Sequence, residues 1–224
     1  AAMYLPYDKE KNVKLQFQNF EQLPKMDIAS IDQSMFPLLL NYHPLMLYRH
    51  QVNKQADTVM VDFMFPEGNT LAQLKSDYEF YEPITTHDSS LSKAICAIIA
   101  ARIGKDQQSY DFFSQAVQTD LMDVHHNTKN GIHAGSLGAA WEGIIYGFAG
   151  VVNNAKSFSL QPHLPVTWNC LKFKMHLYGN EFQFIIYQDT VEVDLISGKG
   201  ADITVANEKK QLSHQNPKQM WTYK

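Results

Sequence analysis

The hydrophobic pattern changes period once along the 224 residues. Up to about residue 150, apolar positions recur every three to five residues, the spacing of one helix face. From about Pro37, Leu40, Leu47, Val52, Ala56 and Val59 keep that rhythm as an inward face, and Pro44 suits a first helical turn. "EGNTLAQLKSDYEFY" (Glu67 to Tyr81) reads as a turn followed by a short helix. The run "AICAIIAA" (Ala94 to Ala101) predicts a helix from near Ser90 to a stop at Gly104. Asp106 then reads as the N-cap of a helix whose apolar stripe is Tyr110, Phe113, Val117 and Leu121. "HHNTKNG" (His125 to Gly131) is a loop, and a last helix is expected over Leu137 to Phe148, ending near Gly150. Residues 1–30 are irregular, with "LQFQNF" (Leu15 to Phe20) as a short extended piece.

After "VVNNAKSFS" the period falls to two. Leu171, Phe173, Met175 and Leu177 alternate with Lys172, Lys174 and His176, Gly179-Asn180 supplies a hairpin turn, and Phe182, Phe184 and Ile186 continue the alternation. "TVEVDLI", the turn "SGKG" and "ADITVA" then close a meander. Helices first and strands second imply two units, a mainly α part over residues 1–155 and a small antiparallel β-sheet domain over 156–224.

Composition narrows the function classes. The formal charge is −4 and charged residues make up 19% of the chain without any basic block, which argues against a nucleic-acid partner. No run approaches the roughly 20 apolar residues of a membrane span. The start "AAMYLPYDKEKN" lacks the basic and apolar regions of a signal peptide, and the chain is expected to begin inside a larger protein. Cys96 and Cys170 stand far apart and fit two reduced thiols in a cytoplasmic protein rather than a disulfide framework or a zinc motif.

Three polar clusters are candidates for chemistry. "YEPITTHDSSLS" (Tyr81 to Ser92) places Glu82, His87, Asp88 and several hydroxyls before a helix start. One side chain suffices for a cap; the remaining hydroxyls are either solvated loop residues or an anion cradle over free N–H groups and the positive dipole end. His87 could add a charge or a donor. "HHNTKNGIHAGS" (His125 to Ser136) sets His133 near Gly131 and Gly135 before another helix. His125, His126 and His133 lack the spacing of a zinc pair, so no metal site is expected, and His133 is a turn histidine or an anion ligand. In "RHQVNKQAD" (Arg49 to Asp57), Lys54 and Gln55 are a solvated helix end or donors to sugar hydroxyls, with Glu82 as an acceptor. Trp141 and Trp168 could stack on a sugar, though at their spacing they suit core positions.

Together, "VNKQAD", "FYEPITTHDSSLS", "DLMDVHHNTKNGIHAGSLGAAWEGIIYGFAG" and "LQPHLPVTWNCLKFKMHLYG" resemble the C-terminal part of the disaccharide phosphorylases of glycoside hydrolase family 65, over roughly Gln16 to Gly200. The resemblance implies part of an (α/α)6 barrel followed by a small β-sheet domain. It implies inverting phosphorolysis of an α-glucosyl disaccharide to β-glucose 1-phosphate and glucose. Maltose is the expected sugar, and kojibiose, nigerose and trehalose are alternatives. Inorganic phosphate serves as co-substrate, no cofactor is required, and the full-length protein is expected to be a homodimer. Carried onto this sequence, Ser89, Ser90 and His133, with His87 in support, look like the phosphate cradle, and Lys54, Gln55 and Glu82 look like sugar-binding residues. The family's general-acid Glu lies in an Asp-Glu-Tyr motif that does not occur here, so no catalytic acid is assigned in this chain. Departures at Cys96, where relatives often carry His, and in "LGAAW" leave specificity open. Two other classes stay in view: an inactive barrel remnant acting as a binding module, and a hydrolase of trehalose-like α-glucosides.

Overall fold

In the computed structural model, residues 4–124, 126–153 and 158–224 are described. Contacts divide the chain into two compact units, Ala1–Gly143 and Ile144–Lys224. The boundary expected near residue 155 falls among residues outside that description.

The first unit is organised around one helix. Helix α5 (Ser92–Arg102) is apolar on every side, and Ala94 through Ala101 are all buried. A helix without a polar face must be enclosed. Here α3 (Asp57–Met64), α4 (Leu71–Tyr81), α6 (Asp106–Leu121) and α7 (Ala134–Glu142) all contact it. Small side chains allow the close approach, and Ala94, Ala116 and Ala139 meet where α5, α6 and α7 converge. Helix α4 starts as expected, with the Thr70 hydroxyl accepting from Gln73 N at 3.1 Å.

Several sequence expectations shift. The segment after Pro37 is two short helices, α1 (Leu38–Asn41) and α2 (Pro44–Tyr48), then a loop to α3. Leu47, Ala56 and Val59 are buried, but Leu40 is 81% exposed, because the chain breaks before the periodicity can be completed. Pro44 does occupy the first turn of α2. Asp106 lies inside α6, and the N-cap position belongs to Lys105. The buried stripe of α6 is Ser109, Phe112, Phe113, Ala116 and Thr119, while Leu121 is 79% exposed. Ser109 is tolerated inside because its hydroxyl donates to Ala97 O at 2.8 Å. "LQFQNF" is not a strand; the extended residues form a hairpin just before it, β1 (Tyr7–Asp8) with β2 (Val13–Lys14), and Phe20 is buried. The Lys14 ammonium anchors this hairpin to buried Asp62, to Asp77 at 3.2 Å and to Asn69 at 2.7 Å. Burial pushes the Asp62 carboxyl up to about 6 against the pull of Lys14.

The second unit is two four-stranded sheets rather than one meander. Strands β5 (Leu171–Leu177), β6 (Asn180–Ile186) and β7 (Thr190–Ser197) run antiparallel in sequence, with β10 (Lys218–Thr222) on the far edge of β7. The β5–β6 turn is Tyr178-Gly179, one residue earlier than expected, and both residues have positive φ (51° and 75°), as a two-residue hairpin requires. The chain then leaves this sheet. Strand β8 (Gly200–Val205) pairs with β9 (Glu208–Ser213) and, in parallel, with β4 (Phe158–Leu160), which in turn pairs with β3 (Val151–Asn153). Asn180 Oδ1 accepts from Gly200 N at 2.8 Å at this crossing. Phe158, Leu160, Phe182, Phe184, Val193, Ile203 and Trp221 belong to one buried core, and strand alternation places them there.

Candidate functional site

The loops that precede α3, α5 and α7 carry the sequence-selected polar residues, and hydrogen bonds join them. Asn53 N donates to Ile84 O at 2.8 Å and Thr86 N donates to Asn53 O at 2.8 Å, so "VNKQAD" lies beside "ITTHDSS" as a short parallel bridge. Ala56 N donates to the Ser92 hydroxyl at 3.2 Å, and the same hydroxyl contacts His87 Nδ1 at 3.0 Å. The third loop joins through Ser136, whose hydroxyl reaches Ser90 O and Ala116 O, both at 3.3 Å. Gly135 makes this approach possible: a Cβ there would lie 2.8 Å from Leu91 Cδ2.

Ser89 and Ser90 therefore sit on the turn entering α5, and His133 sits directly before α7 on the neighbouring loop. The N-cap of α5 is Leu91, with no side-chain cap; Ser89 Oγ only approaches Leu91 N at 3.4 Å. Lys54 is exposed, and its charge acts on the Asp88 carboxyl against the effect of burial. Gln55 is engaged locally, donating to Asp57 at 2.8 Å.

His87 and Glu82 are both shaped by burial. His87 adds no charge. Its ring packs on Phe112 with 5.0 Å between centroids, and burial, reinforced by Lys93, pulls its pKa down to about 4. The Nδ1–Ser92 hydrogen bond forms in either neutral tautomer, so His87 supports the loop. Glu82, expected with Lys54 and Gln55 among the sugar-binding residues, is half-buried. It opens a 3-10 turn, Glu82–Ile84, and burial raises its pKa, with Lys105 opposing. Trp141 is 54% exposed rather than core, and Trp168 packs edge-on against Phe148 with centroids 5.1 Å apart.

The structure also gives Asp88 a partner and adds residues that composition and spacing did not single out. Asp88 accepts from Leu38 N at 2.9 Å and ties α1 to the serine loop. Asp120, near the end of α6, accepts from both the backbone N and the ring Nδ1 of His133, at 2.8 and 2.5 Å. Asp123 accepts from Asn127 N and Thr128 N at 2.9 and 3.0 Å and closes the intervening loop. Lys93 is half-buried beside a cavity of about 170 Å³ lined by Thr86, His87, Asp88 and His126. The Asn53 amide is buried, and neither of its polar atoms has a partner among the described residues. Local sequence carried no signal for the Asp120–His133 pair, because its members are separated by a whole loop. Among the described residues no group of three or more His, Cys, Asp and Glu side chains is placed to hold a metal, and His125 lies outside them. No described helix is long and apolar enough to cross a membrane, and both cysteines are free thiols.

Comparison with known proteins agrees with this division. Residues 1–142 match the model of the glycosyl hydrolase family 65 central catalytic domain, and residues 154–212 match that of the family 65 C-terminal domain. The chain is 38% identical over 216 residues to an α,α-trehalose phosphorylase of Geobacillus stearothermophilus, covering 96% of this chain and 28% of the relative. It is 38% identical over 183 residues to the kojibiose phosphorylase of Escherichia coli, covering 81% and 24%, and 27% identical over 206 residues to the maltose phosphorylase of Bacillus subtilis, covering 92% and 27%. A solved human-microbiome protein, named provisionally as a kojibiose phosphorylase, superimposes with a TM-score of 0.91 at 32% identity, over 98% of this chain and 29% of that one. The chain thus spans under a third of the length of the relatives it matches. The maltose-type likeness expected from the motifs is not the one these identities favour. With both domain models matched in order and with relatives at 38% identity, the chain belongs to glycosyl hydrolase family 65.

Proposed function

We propose that this chain carries the phosphate-binding part of an inverting disaccharide phosphorylase. Ser90 and His133 stand at the entrances of α5 and α7 on loops joined by the Ser136–Ser90 hydrogen bond, and this observation carries the reading. Two helix N-termini side by side offer free N–H groups and positive dipole ends to a dianion. The hydroxyls of Ser89 and Ser90 and the His133 ring add donors, and Lys54 adds a positive charge.

In the reaction, a phosphate oxygen attacks the anomeric carbon of an α-glucoside from the face opposite the leaving sugar. The glycosidic C–O bond breaks, and a general acid contributed by chain outside this sequence protonates the departing oxygen. Phosphate takes the place of the base-activated water of an inverting hydrolase, so one protein carboxylic acid suffices. The products are β-glucose 1-phosphate and a free sugar. Lys54, Gln55 and Glu82 would meet sugar hydroxyls beside the phosphate; the Asn53 N to Ile84 O hydrogen bond, which ties the loop of Lys54 to the turn opened by Glu82, supports that grouping. The helical unit would form part of an (α/α)6 barrel in a larger, cytoplasmic, homodimeric protein. Higher identity to the trehalose and kojibiose enzymes than to the maltose enzyme favours trehalose or kojibiose as the disaccharide.

The test is an assay of the whole protein against trehalose, kojibiose, nigerose and maltose, with and without phosphate. Phosphate-dependent release of glucose 1-phosphate is expected, with trehalose or kojibiose cleaved ahead of maltose. Equal sugar release without phosphate would transfer the protein to the hydrolases. His133→Ala should raise KM for phosphate roughly 10-fold or more, the loss of a charge-assisted hydrogen bond, while leaving KM for the disaccharide near its starting value.

A further inference from the structure

The Asp120 carboxylate grips a single residue with both oxygens. Oδ2 accepts from the His133 backbone N–H at 2.8 Å, and Oδ1 meets His133 Nδ1 at 2.5 Å. Those two bonds hold the Asp120 carboxyl below the usual carboxylate range, so it is ionised at neutral pH. An ionised carboxylate only accepts, so Nδ1 carries the proton and Nε2 lies on the opposite edge of the ring.

Closing the loop does not require the ring bond. The backbone N–H of His133 already ties the loop to α6, and Asp123 binds Asn127 N and Thr128 N within it. What the Nδ1 contact adds is a fixed ring direction. A histidine with one ring nitrogen bonded to a rigid helix loses little rotamer freedom when a ligand arrives, so more of the contact's free energy is retained as affinity. Both ends of the clamp are anchored: Asp120 lies near the end of the sixteen-residue helix α6, and Ser136, in the first turn of α7, is bonded to Ala116 O of that same helix.

We propose that Asp120 is a positioning residue for oxyanion binding, setting the tautomer and direction of the His133 ring toward the turn that carries Ser89 and Ser90. This rests on the phosphate reading of that site. Asp120 does not touch the anion; it acts through His133.

The test compares Asp120→Asn, Asp120→Glu, His133→Ala and the Asp120→Asn/His133→Ala double variant in the whole protein, reading KM for phosphate and for the disaccharide separately. Asp120→Asn is expected to raise KM for phosphate about tenfold with KM for the disaccharide unchanged, since one charge-assisted hydrogen bond is lost. Asp120→Glu should recover part of that loss, and Asp120→Asn should add nothing once His133 is alanine. If His133→Ala raises KM for phosphate but Asp120→Asn does not, the positioning role is overturned and the phosphate site stands. The same holds if Asp120→Asn raises both KM values alike, or if its effect persists undiminished in the His133→Ala background. If His133→Ala leaves KM for phosphate unchanged, the phosphate reading itself fails, and this inference fails with it.

Discussion

The β unit and the helical unit fill their interiors with different chemistry. In the β unit the core is phenylalanine, valine, isoleucine, leucine and tryptophan, and among the described residues Asn180 is the only buried polar side chain. Its amide bonds Leu177 O, Tyr178 O and Gly200 N, so it serves the turns. The helical unit buries Gln51, Asn53, Asp62, Asp77, Thr85, Ser92 and Ser136, and it exposes large apolar side chains such as Leu45, Met64 and Ile132. Buried polar groups are costly unless bonded. Ser92 and Ser136 are bonded, and their bonds hold the loops bearing the candidate site. The contrast separates a unit whose interior serves stability from one whose interior also fixes loop geometry.

The largest effect should come from the β core. Phe184 is fully buried and stacks on Phe173 with 5.0 Å between centroids, so Phe184→Ala should cost about 3–5 kcal/mol in denaturant unfolding. A loss below about 1 kcal/mol would show that the strand alternation had been misassigned to the core.

His87 gives the next effect, and it belongs to the helical unit alone. Its folded pKa, about 4, lies below the ordinary 6.5, so the fold binds fewer protons than the unfolded chain. The stability this confers is present above pH 6.5 and is lost as pH falls toward 4, by about 2–3 kcal/mol. Hydrogen exchange of the helical amides at both pH values reads it. His87 has a φ of 55°, which asparagine tolerates, so His87→Asn should remove this acid sensitivity without straining the turn. An unchanged acid limb in that variant would place the sensitivity elsewhere.

Asp62 should act in the opposite direction and more weakly. Its carboxyl is pushed up to about 6, so the fold binds more protons than the unfolded chain. That stability is present below about pH 3.9 and declines as pH rises through 6, by about 1–2 kcal/mol. In Asp62→Asn the slope should flatten, with Lys14 still paired to Asp77. If thermal unfolding of the variant retained the same slope between pH 4 and 7, the buried carboxyl would not be its source.

The two regions also differed in how far sequence could describe them. In β6 side chains alternate strictly, so the pattern alone pointed to Phe182, Phe184 and Ile186, while on the edge strand β5 the same alternation leaves Leu171, Phe173 and Met175 half-buried. It could not name the partner of β8, because a strand's own pattern is the same in either sheet. In α6 the apolar stripe was displaced because Ser109 and Thr119 are buried polar residues that a hydrophobic count leaves out. The loop residues were legible as chemistry, and their likeness to family 65 gave them roles. Which of them meet was decided by packing around α5, which brings Ser90 beside Ser136 and delivers Asp120 to His133.

The sequence alone determined the change from helices to strands, the family, and the polar loops that open α3, α5 and α7, since all are written in short-range period and motif. Tertiary structure alone decided that His87 is neutral, that the β strands split between two sheets, and that His133 is clamped by a carboxylate thirteen residues earlier. Burial, strand partners and clamps depend on which distant segments come together, and neither period nor motif encodes that.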